Sequence, residues 1–193
     1  MRPPKKAPPT LAQLKAELKR ERHRRTYGLT LRSTIYSLIT VAAVAVLVAT
    51  LFLPVLQIYG TSMSPTLEDG QIVVSVKTGE LKQGDIVAFY YNNKILVKRV
   101  IAGPGQWVDI DDDGNVYVDG QLLDEPYVVE KTLGSCNIDL PYQVADGRWF
   151  VMGDHRSVSV DSRDRSVGCV SEEQIVGRLT FRIWPLDSIS SLE

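Results

Sequence analysis

The sequence predicts a mainly β protein, an antiparallel β-sheet or barrel-like domain behind a single N-terminal transmembrane helix. Three observations carry that expectation. Ser33 to Leu67 holds no charged residue, residues 1–32 hold ten Lys/Arg against Glu17 and Glu21, and the remainder is a series of short β-branched runs broken by Gly, Asn and Pro. The first 32 residues therefore carry +8 and the rest −9, although the whole 193-residue chain sums to only −1.

Within the uncharged stretch, Ile35 to Leu56 is 22 residues, about 33 Å as a helix, enough for a bilayer core of about 30 Å. A cleaved secretory signal has a shorter apolar region, about 7–15 residues, ending at a small-residue site. This run is longer and continues into Leu51-Phe-Leu-Pro54, so it reads as a permanent anchor. Because basic residues stay on the cytoplasmic side, the chain divides into a cytoplasmic tail (1–32), an anchor (33–56) and an extracytoplasmic domain (57–193). That topology also explains the charge of the tail, so no nucleic-acid partner is expected. Leu11, Leu14 and Leu18 predict a short amphipathic helix over Leu11 to Arg25.

Beyond the anchor, Gln71–Val76, Asp85–Tyr91, Ile95–Ile101 and Gln174–Trp184 read as strands. Asn92-Asn93 predicts a hairpin turn, as does the Asp-Gly pair within Asn115–Leu123, and Gly103-Pro-Gly105 predicts a tight connection. Trp107, Trp149 and Trp184 suit either a core or a lipid interface. Cys136 and Cys169 allow one disulfide or two small buried residues. No Cys/His cluster has metal-ligand spacing, so neither metal nor cofactor is expected.

Two hydroxyls, Ser62 and Ser64, stand where the chain leaves the membrane, and a strand period of two puts Lys98 on one face with Leu96 and Val100. Burial among aliphatic neighbours disfavours the ammonium form, and a lysine so placed can serve as a general base. The residue pattern alone does not choose between the serines. Nor does it exclude a histidine base, since His155 lies near Asp154 and Asp161.

Four segments, Gly60-Thr-Ser-Met-Ser-Pro-Thr-Leu67, Gly84-Asp-Ile-Val87, Lys98-Arg-Val-Ile-Ala-Gly-Pro-Gly105 and Gly153-Asp-His-Arg-Ser-Val-Ser-Val-Asp-Ser-Arg163, resemble the ordered boxes of type I signal peptidases, membrane-anchored Ser/Lys proteases. The resemblance spans roughly residues 33–187. It implies Ser62 as nucleophile and Lys98 as general base, with Ser159 hydrogen-bonded to Lys98 and Asp161 paired with Arg163 in support. It implies an oxyanion site at the Ser62 N–H, helped by Thr61 or a backbone donor at Gly60, where some relatives have serine. Ile58, Tyr59, Met63, Leu96 and Val97 would line pockets for small side chains, and the partners would be preprotein signal peptides and the lipid bilayer. His155 departs from the asparagine common at its position and reads as a structural hydrogen-bonding residue. Two other readings stay open, a self-cleaving Ser/Lys repressor-like protease and a non-enzymatic membrane-tethered binding module. Oligomeric state and substrate range are not legible.

Overall fold

The structure, a computed structural model, describes residues 10–77 and 80–192, with residues 49–52 described in backbone only. Arg2, Lys5 and Lys6 of the basic tail lie outside the described residues. The chain divides into a helical unit up to Thr50 and a β unit from Leu51 onward.

The helical unit is built on one helix, α1 (Leu11–Phe52), of 42 residues, about 63 Å long. It is long and apolar enough to cross a membrane. This corrects two expectations. No separate tail helix ends at Arg25, because Leu11–Phe52 contains no proline and only one glycine, Gly28, and α1 runs through the 32/33 boundary unbroken. At its other end α1 stops at Phe52, short of position 56. Pro54 lacks an amide proton and biases Leu53 away from helical backbone, and the next residues form strand β1 (Val55–Gln57) of the β unit. Residues 33–52 still span about 30 Å.

All strand pairs in the β unit are antiparallel. The larger sheet places β1 beside β2 (Ile72–Val76), followed by β11 (Ile175–Trp184), β3 (Ile86–Tyr91), β4 (Lys94–Ala102), β9 (Arg148–Met152) and β10 (Val170–Ser171), with β12 (Ser190–Ser191) on β11. The smaller sheet runs β7 (Gln121–Leu122), β6 (Val116–Val118), β5 (Trp107–Ile110) and β8 (Tyr142–Gln143). The two sequence-expected hairpins are present. Asn92 and Asn93 turn β3 into β4 at φ 43° and 63°, and Asp119-Gly120 joins β6 to β7 at φ 52° and 76°, the left-handed backbone such turns need.

Strand alternation builds a core on both faces of the larger sheet. Ile86 and Ala88 pack with Ile58, Met63, Leu67, Val73 and Leu179, whereas Val87 and Phe89 pack on the other side with Val100, Val151 and Val170. A third cluster joins Ile101, Phe150 and Met152 to Val108, Ile110 and Val116 of the smaller sheet. Trp149 packs against the Val87 cluster, while Trp107 and Trp184 are about half exposed. Cys136 and Cys169 are both free thiols.

Candidate active site

Ser62 lies in the turn that follows β1. Met63 and Leu67 anchor that turn in the core, and Leu67 N–H closes it onto the Met63 carbonyl at 2.9 Å. Lys98 lies on β4, directly opposite Val87 of β3, with Leu96 and Val100 in the same cluster. The two side chains meet, with Lys98 Nζ donating to Ser62 Oγ at 2.6 Å. Ser64, also only partly buried, donates its backbone N–H to Thr61 O at 3.1 Å, and no contact joins its hydroxyl to Lys98 among the described residues. Of the two serines that the residue pattern left equivalent, Ser62 is the one in hydrogen-bond contact with Lys98.

Lys98 is 3% exposed, and its burial lowers its pKa from 10.5 to about 8, against the opposing pull of Asp161, with Arg163 lowering it further and Asp154 raising it. The neighbouring charges explain why burial prevails. Among the described residues, the buried charged ones are Lys98, Arg99, Glu125, Asp154, Arg156, Asp161 and Arg163. Six of these form three ion pairs, Arg99–Asp154 at 2.6 Å, Arg156–Glu125 at 2.5 Å and Arg163–Asp161 at 2.8 Å. Lys98 is left as the buried cation without a carboxylate partner among the described residues. Burial therefore outweighs the pull of Asp161 and Asp154, which act on Lys98 without direct contact.

The last box is held against the Ser62 turn by backbone contacts. His155 N–H donates to the Ser62 carbonyl at 3.1 Å, and Gly153 N–H donates to Asp161 Oδ2 at 2.9 Å. Gly153 admits no side chain, because a Cβ there would collide with Ser159 Oγ and with the Ser62 carbonyl oxygen. The expected Asp161–Arg163 pair is present and two-pronged, through Arg163 Nε to Oδ1 at 2.8 Å and Nη2 to Oδ2 at 2.9 Å. Arg163 also donates to the carbonyls of Leu133 and Arg156.

Two expectations need correction. Ser159 does not hydrogen-bond Lys98. Its buried Oγ has no partner, since Nζ is turned to Ser62 and Ser159 sits against Gly153 and the Ser62 carbonyl. Gly60 offers no free backbone donor either, because its N–H is committed to Asp69 Oδ1 at 2.6 Å. The Ser62 N–H, by contrast, has no acceptor among the described residues, and Thr61 is exposed beside it.

His155 lies against the turn that carries Ser62 and has no carboxylate partner among the described residues. Its Nδ1 lies 3.3 Å from the Thr61 carbonyl, while both nearby carboxylates are used elsewhere, Asp154 by Arg99 and Thr66 and Asp161 by Arg163 and Gly153.

A cleft of about 510 Å³ leads to Ser62 and Lys98, and it brings Ile58, Tyr59, Met63, Leu96 and Val97 together. Its two sides are free strand edges. β1 pairs only with β2, and β9 pairs with β4 only from Arg99 onward, so Ile95–Val97 has no strand on that side.

Sequence reasoning missed the supports around these groups. Thr66 Oγ1 donates to Asp154 Oδ2, and Tyr127 lies under the Arg99 guanidinium at 3.8 Å from the ring centroid. Glu125 holds Arg156 from a loop outside all four motif segments. Glu125-Pro-Tyr127 carries no local signal of that partnership.

Comparison with known proteins identifies the family. Residues 31–184 match the family described as "Signal peptidase, peptidase S26". Signal peptidase IB of Staphylococcus aureus (strain COL) is 40% identical over 148 residues, covering 66% of this chain and 76% of that protein. Signal peptidase I of Bacillus licheniformis is 37% identical over 165 residues, covering 79% and 87%. A crystal structure of a signal peptidase I from Enterococcus faecalis V583 is 30% identical, covers 53% of this chain and 98% of that one, and superposes with a TM-score of 0.44. On the family match and these identities, the chain belongs to the signal peptidase family, peptidase S26.

Proposed function

We propose that this serine endopeptidase is membrane-anchored and removes signal peptides from exported preproteins, with Ser62 as nucleophile and Lys98 as its general base. The observation that carries the residue assignment is the 2.6 Å contact between a serine hydroxyl and a buried lysine whose pKa lies near 8. At pH 7 such a lysine is roughly one-tenth neutral, against well under about 0.1% for an unperturbed one.

In the neutral form the contact reverses, and Ser62 O–H donates to Nζ. As Oγ attacks the scissile carbonyl, Lys98 takes the proton, and the Ser62 N–H faces the developing oxyanion. Collapse of that intermediate expels the amine of the mature chain, which receives the proton from the Lys98 ammonium. Water then hydrolyses the acyl-enzyme with Lys98 again as base. The unpartnered Ser159 hydroxyl is available to accept from the ammonium during this cycle.

The free edges of β1 and of Ile95–Val97 suit an extended peptide bound by backbone hydrogen bonds, with alternate side chains entering the cleft. The basic tail favours a cytoplasmic N-terminus and an extracytoplasmic β unit. Incubation of the detergent-solubilised protein with a preprotein, followed by sequencing of the new N-terminus, tests the activity. Cleavage after a small residue is expected, with loss in Ser62→Ala, and full activity in that variant would remove the nucleophile. Protease applied outside spheroplasts should digest the β unit and spare the tail; the reverse pattern would overturn the orientation.

A further inference from the structure

Next to the turn that carries Ser62, and sharing no lining residue with the cleft, Ser64, Pro65, Val129, Glu130, Asp154 and His155 line a second hollow of about 240 Å³. It shares its wall with the catalytic turn, because His155 bonds the Ser62 carbonyl through its N–H and lies against the Thr61 carbonyl through its ring. A peptide whose residues before the cut fill the cleft must run its following residues away from that cleft. At about 3.3 Å per extended residue, the second and third residues after the cut lie about 7–10 Å beyond Ser62.

The chemistry of the hollow is not that of a core surface. Val129 is 81% exposed, an apolar side chain with no packing role, and with Pro65 it offers apolar contact. Glu130 is exposed and has no ion pair among the described residues. The other carboxylate lining the hollow, Asp154, is paired with Arg99, and Lys131 is not part of the lining. Glu130 is therefore the unpaired carboxylate among the residues that line the hollow.

We propose that this hollow is the subsite for the first residues of the mature chain, and that Glu130 makes it select basic over acidic side chains there. The proposal rests on the protease reading above. It assigns the enzyme a preference on the departing side of the bond, independent of the small side chains required before it.

The test uses the full-length protein in detergent and three peptides identical up to the cut, with Lys, Ala or Glu at the second and third positions after it. The measured quantity is kcat/KM at low salt. The Lys peptide should exceed the Glu peptide by at least about threefold, the scale of an exposed charge pair. Glu130→Gln should bring that ratio towards one, and Glu130→Lys should invert it. Raising ionic strength to about 1 M should erase it in the parent. Ratios for peptides varied only before the cut should not respond to either variant. An unchanged Lys/Glu ratio in both variants would overturn the subsite while leaving the protease intact, and a ratio insensitive to salt would overturn its electrostatic basis. Failure of the parent to cleave any of the three would instead overturn the protease reading, and the subsite with it.

Discussion

Lys98→Met separates the cost of a buried base from its use. Methionine is unbranched like lysine and carries no charge, so it fills the space of the stem without asking the core to hold a cation. The drop in the Lys98 pKa from 10.5 to about 8 corresponds to about 3 kcal/mol of destabilisation, at about 1.4 kcal/mol per pH unit. Against this the variant loses the hydrogen bond to Ser62, worth about 1 kcal/mol. At pH 7 Lys98→Met should therefore be inactive yet more stable by about 2 kcal/mol. The sign with pH follows from proton counting. Below about pH 8 both folded and unfolded chains hold the Lys98 proton, so the full penalty is present. Between about 8 and 10.5 the unfolded chain binds more protons than the folded one, and the parent gains stability as pH rises. Urea unfolding followed by tryptophan fluorescence reads the β unit, since Trp107, Trp149 and Trp184 all lie there. The advantage of the variant should shrink through that window and end slightly reversed. A stability difference independent of pH between about 7 and 11 would refute the claim that burial sets the lysine.

Four further outcomes test the site and its supports. In the parent, kcat/KM should climb about tenfold per pH unit below about 8 and level off above it, because deprotonation makes the active base. Lys98→Arg, which cannot deprotonate, should lose at least about 10²-fold across the same range. Ser64→Ala and His155→Asn should each keep most of the activity in a preprotein-cleavage assay, since neither side chain touches Lys98, and near-total loss in folded His155→Asn would revive a histidine base. Glu125→Ala should strand the Arg156 guanidinium in the interior and cost about 3–5 kcal/mol in urea unfolding, far more than an exposed carboxylate such as Asp139 would.

What was legible in the sequence was local chemistry. Asn92-Asn93 and Asp119-Gly120 announce their turns because few residues accept positive φ, and the β-branched runs of β2, β3, β4 and β11 announce their strands. Arg148–Met152 escaped, because its burial is continuous over the last three residues and leaves no alternation to read. The motif segments located Ser62 and Lys98, but their contact joins residues 36 apart and depends on how two elements pack. The same limit hid Thr66–Asp154, 88 residues apart, and Arg156–Glu125, 31 apart. Ser159 failed for another reason. A motif fixes which hydroxyl is near the lysine, whereas the rotamer of Nζ decides which one it touches, and here it touches Ser62.

The three arginine–carboxylate pairs bear on catalysis through what they withhold. A carboxylate free to approach Nζ would favour the ammonium and hold Lys98 in the form that cannot accept a proton. Asp161 is the stronger of the two acids acting on Lys98 in that direction, and both its oxygens are occupied by Arg163, with Gly153 N–H on one of them. Asp154, the other, accepts two bonds from Arg99 and one from Thr66. Such buried pairs contribute little net stability, since desolvation offsets most of their attraction. Their arrangement instead keeps two acids close enough to shape the last motif segment yet unable to neutralise the lysine. Burial then prevails over the pull of Asp161 and Asp154 on Lys98, which is the condition the proposed general base requires.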